Sequence, residues 1–91
     1  MTRAEMKQVV LEALVSVVPE ADPAEIDPEA PLREQLDIDS MDFINFVVAL
    51  DEALGVEVPE SEYGQLATVD SCIDYLTRKL GTPGGGESSI P

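Results

Sequence analysis

Asp39-Ser40-Met41-Asp42-Phe43-Ile44-Asn45-Phe46-Val47-Val48-Ala49-Leu50-Asp51-Glu52-Ala53-Leu54-Gly55 reads as one helix with both ends marked. Asp39 and Ser40 are both good N-caps, and only one residue can be the cap. If Asp39 caps, Ser40 becomes the first helical residue, and its hydroxyl stays free to face solvent. An anion attached there would meet the unpaired amides and the positive end of the helix dipole. Gly55 closes the helix as a left-handed C-cap residue. Between these ends Met41, Phe43, Ile44, Phe46, Val47, Val48, Ala49, Leu50, Ala53 and Leu54 surround more of the cylinder than one buried stripe requires. Such a helix presents part of itself to a ligand or partner, and the N-terminal end is the expected exposed part.

Upstream, the spacing predicts a helix over residues 3–17. Thr2 and Glu5 form a capping-box pattern, with Met1 and Met6 at the staple positions around it. Met6, Val9, Val10, Ala13, Leu14 and Val17 recur at helical spacing and form its buried stripe. Residues 18–38 then form a long connection that Pro19, Pro23, Pro28 and Pro31 keep from becoming one helix. Ile26, Leu32 and Leu36 are expected to pin it to the core. A connection of that length in so small a domain is a functional signal.

Downstream, residues 56–59 are extended, and residues 60–65 suggest a single helical turn broken at Gly64. Thr68 caps a last helix over residues 69–80, with Val69, Cys72, Ile73 and Leu76 facing inward. Arg78 and Lys79 complement its dipole. The Gly/Pro/Ser-rich residues 81–91 are expected to be a disordered tail beyond a folded domain of residues 1–80. The prediction is thus all-α: a small bundle of three main helices plus one short helix, with a long first loop.

Composition narrows the function. Of 91 residues, 44% are hydrophobic but only 4% aromatic, so the core is aliphatic. Nineteen acidic residues face five basic ones, for a net charge of −14. That excess repels nucleic-acid phosphate and anionic membrane surfaces, and favours a partner with a basic patch. The chain has no histidine and a single cysteine, Cys72. The commonest general base and zinc ligand are therefore missing, no internal disulfide can form, and Cys72 reads as a buried thiol. No apolar run reaches the length of a membrane span, and a cytoplasmic monomer is expected. Asp37, Asp39 and Asp42 do not make an EF-hand. A loop starting at Asp37 needs an oxygen ligand at Met41, glycine at Asp42 and glutamate at Val48.

Leu36-Asp37-Ile38-Asp39-Ser40-Met41-Asp42, the run Ile44 to Leu54, Val56-Glu57-Val58-Pro59, Thr68-Val69 and Ile73-Asp74-Tyr75-Leu76 together resemble the acyl carrier protein family. The resemblance spans about Met6 to Leu80. It implies that Ser40, preceded by the motif residue Asp39, accepts 4′-phosphopantetheine from coenzyme A. A phosphopantetheinyl transferase (holo-synthase) would install it. It implies a carrier rather than an enzyme: acyl groups ride as thioesters on the arm and are delivered to fatty-acid, polyketide or other specialised biosynthetic enzymes. In the family the helices can part to shelter the acyl chain. The resemblance also implies that acyl-activating, acyltransferase or ketosynthase enzymes dock through basic patches on Met41, Asp42, Phe43, Asn45, Val48, Asp51, Glu52 and Glu57.

Three positions depart from the usual fatty-acid pattern. Asp37 replaces a glycine, Phe43 stands where a small polar residue is common, and Asn45 stands where a glutamate is common. The last two alter the face a partner would read and point away from the general fatty-acid carrier toward a dedicated pathway. An aminoacyl or D-alanyl carrier is the neighbouring alternative, through Asp39-Ser40-Met41 and Ser61-Glu62-Tyr63. An acidic adaptor without a prosthetic group is the alternative from another class.

Overall fold

The computed structural model describes residues 2–80, which are helical with no strand among them. Helix α1 spans Arg3–Val17, the one-turn α2 Leu32–Gln35, α3 Ser40–Leu54 and α4 Val69–Leu80. Two 3-10 segments, Pro23–Glu25 and Glu60–Leu66, lie in the connections. Three long helices and one shorter 3-10 helix thus match the architecture expected from the sequence. None of the described helices is long and apolar enough to cross a membrane. The expected tail and the Met1 half of the staple lie outside the described residues.

The local signals at the helix ends work as chemistry predicts. The Thr2 hydroxyl accepts from the Glu5 amide at 3.1 Å, and the Glu5 carboxylate accepts from the Thr2 amide at 2.8 Å. Hydrogen bonding to those Thr2 groups, the backbone first, holds the Glu5 carboxyl below its ordinary pKa. Thr68 caps α4 by accepting from the Ser71 amide at 3.0 Å. Gly55 ends α3 at φ 68°, ψ 28°, a left-handed conformation that costs glycine little.

Helix α1 packs against both α3 and α4, and the Glu60–Leu66 segment packs against α4. The core is contributed by Met6, Val10, Ala13 and Leu14 of α1, Phe43, Phe46, Val47 and Leu50 of α3, and Val69, Cys72, Ile73, Tyr75 and Leu76 of α4. Val9 and Val17 are only half-buried at the edge of the α1 stripe. Cys72 is a free buried thiol, and burial raises its pKa to about 12.

The long connection is more ordered than its prolines suggest. Ile26, Leu32 and Ile38 are buried, whereas Leu36 is only half-buried. Burying a leucine as fully as Leu32 contributes about 1.5–3 kcal/mol. Pro31, with its φ fixed near the helical value, starts the α2 turn. The Leu32 amide donates to the Ala67 carbonyl at 2.8 Å, and the Asp70 amide donates to the Pro28 carbonyl at 3.0 Å. Gln35 knits the loop from within: its side chain accepts from the Asp27 amide and donates to the carbonyls of Asp27 and Ala30. These bonds satisfy backbone groups that the missing regular structure would leave unpaired. The 3-10 helix runs through Gly64 to Leu66, so the expected break at Gly64 does not occur.

Candidate functional site

The head of α3 resolves the choice between two caps. Asp39 has extended backbone, φ −94°, ψ −174°, and its carboxylate accepts from the Asp42 amide at 2.9 Å. Asp42 reaches back to the Asp39 amide at 3.5 Å, completing a capping box. Ser40 is therefore the first helical residue, exposed, with its hydroxyl not used for capping. The amides of Ser40 and Met41 belong to the first turn, where no helical carbonyl precedes them.

Two features upstream aim this helix end. Asp37 adopts φ 53°, the left-handed region that non-glycine residues enter at a cost. The family resemblance implies a glycine at this position, and the left-handed conformation supplies the physical reason why one would suit it. Ile38, between the two aspartates, is buried and anchors the turn into the core.

Ser40 opens onto a cleft of about 430 Å³, whose lining includes Phe43, Ile44, Tyr63 and Gly64. Phe43 is only 7% exposed. Its ring meets Tyr63 edge-on at 5.6 Å and Phe46 at 6.1 Å. This corrects its assignment to the partner-facing surface. The α3 backbone turns Phe43 toward the core and the 3-10 helix, so it floors the cleft instead.

The outward face of α3 carries most of the other expected contacts and adds Ile44, which was not among them. Met41 is 63% exposed, Ile44 39% and Val48 47%, large values for apolar side chains. Asn45, Asp51 and Glu52 are exposed as well. Positions 41, 45, 48 and 52 recur at helical spacing and share one face. The acids do not form a single cluster around Ser40. Asp39 and Asp42 sit at its end of the helix, while Asp51 lies roughly 16 Å further along the axis. Glu57 is exposed beyond the helix, between the buried Val56 and Val58.

Arg33 is a residue that sequence reasoning missed. Its Nη2 donates to Ser40 Oγ at 3.5 Å, the outer edge of a hydrogen bond. Only its charge, set amid acids, marks it in the sequence; its meeting with Ser40 depends on the tertiary turn between α2 and α3. Tyr63 is the second such residue, half-buried against Phe43. Among the described residues no cluster of three or more Cys, Asp or Glu is arranged to hold a metal ion.

Residues 8–76 match the family model described as phosphopantetheine attachment site. The acyl carrier protein of Rubrobacter xylanophilus is 40% identical over 55 residues, covering 60% of this chain and 68% of that protein. That of Thermosynechococcus vestitus is 35% identical over 74 residues, covering 78% of this chain and 91% of that protein. The mitochondrial acyl carrier protein 2 of Arabidopsis thaliana is 32% identical over 73 residues; the match covers 77% of this chain and 58% of that longer protein. The solved acyl carrier protein from Enterococcus faecalis superposes with a TM-score of 0.71 at 24% identity, covering 87% of this chain and 99% of that one, a likeness of fold.

These matches define a carrier domain whose cofactor is covalent 4′-phosphopantetheine. The chain belongs to the acyl carrier protein family. The residues at the head of α3 suit that group: an exposed hydroxyl for a covalent bond, first-turn amides and Arg33 for the negative charge, and an open cleft alongside. Asp39 and Asp42 oppose an anion there, which makes the nearby guanidinium of Arg33 important.

Proposed function

We propose that Ser40 is the attachment residue and that the chain delivers acyl groups to biosynthetic enzymes that dock on the outward face of α3. The observation that carries this reading is the division of labour at the helix head. Asp39 does the capping, and Ser40 keeps a free, exposed hydroxyl.

Ser40 Oγ bonds to the phosphorus that bears pantetheine in coenzyme A. The P–O–P bridge breaks, 3′,5′-adenosine bisphosphate leaves, and the hydroxyl proton passes to a base on the transferase. Once attached, the arm supplies a terminal thiol that holds an acyl group as a thioester. Everything else falls to the chain's own residues. The capping box fixes where the helix begins, so the Ser40 oxygen has a defined position and direction. The rigid core of α3 presents Met41, Ile44 and Val48 as apolar contacts, with Asp51, Glu52 and Glu57 around them. The −14 charge steers a basic partner to the domain over distances of about a Debye length, ~10 Å at 0.1 M salt. Tethering gives the cargo a high effective concentration at each enzyme visited.

The proposed partners are a phosphopantetheinyl transferase and acyl-activating, acyltransferase or ketosynthase enzymes with basic docking patches. They act in fatty-acid assembly or a more specialised acyl pathway in the cytoplasm. The test is incubation with coenzyme A, magnesium and a promiscuous transferase, read by intact mass. The expected result is the mass gain of one phosphopantetheine, lost in Ser40→Ala. No gain under conditions that load a control carrier would leave an acidic adaptor instead. Mass spectrometry of the cargo on the isolated holo form then separates a hydrocarbon acyl group from an aminoacyl one.

A further inference from the structure

The basic residues of this chain are few, and most are engaged within the fold. Arg3 pairs with Asp74 at 2.8 Å and Asp70 at 3.9 Å, Lys79 pairs with Glu62 at 3.7 Å, and Arg78 donates to Gln65 at 2.9 Å. Among the described residues Lys7 and Arg33 enter no ion pair. Arg33 lines the cleft together with Glu34 and Glu60, yet pairs with neither. It turns instead to a neutral hydroxyl, that of Ser40. A guanidinium has five donors in a planar fork suited to phosphate oxygens, and one long bond to a hydroxyl uses little of that capacity.

The root of this side chain is fixed. The neighbouring Leu32 is fully buried and its amide is bonded to Ala67, while Gln35 is bonded to Asp27 and Ala30. The guanidinium therefore sits beside Ser40 because α2 is held there, not because a flexible loop strays past. Its location also opposes the local charge. Asp39 and Asp42 place two carboxylates at the end of α3 that would receive an anion, and among the described residues Arg33 is the one basic side chain lining the cleft at that end.

We infer that Arg33 is a positioning residue that clasps the phosphodiester at Ser40, holding the near end of the arm over the cleft floored by Phe43 and Tyr63. This inference rests on the reading of Ser40 as the attachment residue. The clasp sets where the arm starts from, and so how much of its swing is directed along the cleft rather than away from the domain. It also offsets the repulsion between the phosphodiester and the two aspartates.

The test uses the full chain as wild type, Arg33→Gln and Arg33→Lys, each loaded by the transferase. Arg33 is exposed, so these substitutions leave the fold in place, and amide spectra check that. The readouts are the phosphorus-31 resonance and the Arg33 Nε–H signal, before and after loading, at low and high salt. The Arg33 signal of the wild type is expected to shift on loading. The phosphorus resonance of Arg33→Gln is expected to differ from that of the wild type at low salt. That difference should shrink at 1 M salt, where the screening length is about 3 Å. Arg33→Lys should lie between the two, keeping the charge but losing the fork. An Arg33 signal unchanged by loading, with one phosphorus resonance common to wild type and Arg33→Gln, would overturn the clasp alone. If none of the three proteins gains mass, the Ser40 reading falls and the clasp falls with it.

Discussion

Helices α3 and α4 are both packed on α1 and both bury an apolar stripe, yet their outer faces differ in kind. The outer face of α4 is engaged with its own chain: Asp70 and Asp74 with Arg3, Lys79 with Glu62, and Arg78 with Gln65. The outer face of α3 presents Met41, Ile44 and Val48 to solvent, and among the described residues Asp51 and Glu52 enter no ion pair. Exposed ion pairs contribute little stability, about 0–1 kcal/mol each, so the contrast matters less for folding than for availability. One helix is occupied by the fold. The other keeps its polar and apolar groups open to another molecule, and it is the helix headed by Ser40.

The largest expected effects break the inner halves of both helices. Phe46→Ala on α3 is expected to cost about 3–5 kcal/mol, and Leu76→Ala on α4 about 2–5 kcal/mol, measured by urea unfolding. Both side chains are fully buried, so neither cavity opens to water. The outer face of α3 sharpens the contrast. Met41→Lys with Val48→Lys is expected to change unfolding by no more than about 0.5 kcal/mol per site. The same pair is expected to lower loading of the carrier by a transferase by roughly tenfold in kcat/KM, equivalent to about 1.4 kcal/mol. An equal loss of stability would mean that these residues serve the fold.

A smaller effect concerns the seam between α4 and the 3-10 helix. The Tyr75 hydroxyl donates to Glu62, and burial first, then that hydrogen bond and the Glu62 charge, raise the Tyr75 pKa to about 12. Cys72, nearby in the sequence, is likewise raised to about 12 from an ordinary 9 by burial. In both cases the folded state keeps a proton that the unfolded chain releases first. The stabilisation is therefore complete below about pH 9 and declines as pH rises from there toward 12. Urea midpoints should fall across that range. They should fall less in Tyr75→Phe combined with Cys72→Ala, compared with that variant's own value at pH 8.

The smallest effects lie at the two ends of α3, where residues with positive φ frame the helix. Asp37→Gly is expected to stabilise by about 0.5–1 kcal/mol, because glycine enters the left-handed region freely. Gly55→Ala is expected to cost about 1 kcal/mol by the same argument reversed, since a Cβ there meets no neighbour and the backbone alone decides. Thermal unfolding of the two variants measures both signs.

The helix ends were legible in the sequence because caps are local chemistry. Thr2, Asp39, Gly55 and Thr68 each act on amides or carbonyls within four residues. The exposed apolar part of α3 was legible too, since too many apolar residues circle the helix for all to be buried. The α2 turn was not: one turn has no period to detect, and it is held by a bond from Leu32 to Ala67, far along the chain. Phe43 was misplaced although the signal was there: the family resemblance put it on the partner face, against its helical phase. Its inward direction follows from the helix itself, because Phe43, Phe46, Val47 and Leu50 fall on one buried stripe at i, i+3, i+4 and i+7; what depended on the fold was Tyr63, 20 positions away, closing over it. Arg33 meets Ser40 only once α2 exists, so no local pattern marks it. The choice of cofactor came from resemblance to a family; the helix-end chemistry showed only that an anion would be accommodated.

The most direct test is to locate the modification by residue. After loading, trypsin cleavage at Arg33 and Arg78 yields one peptide of residues 34–78, which holds Ser40 together with Ser61, Thr68, Ser71 and Thr77. Fragmentation of that peptide should place phosphopantetheine on Ser40 alone. Its appearance on any of the other hydroxyls, with Ser40 bare, would contradict the account.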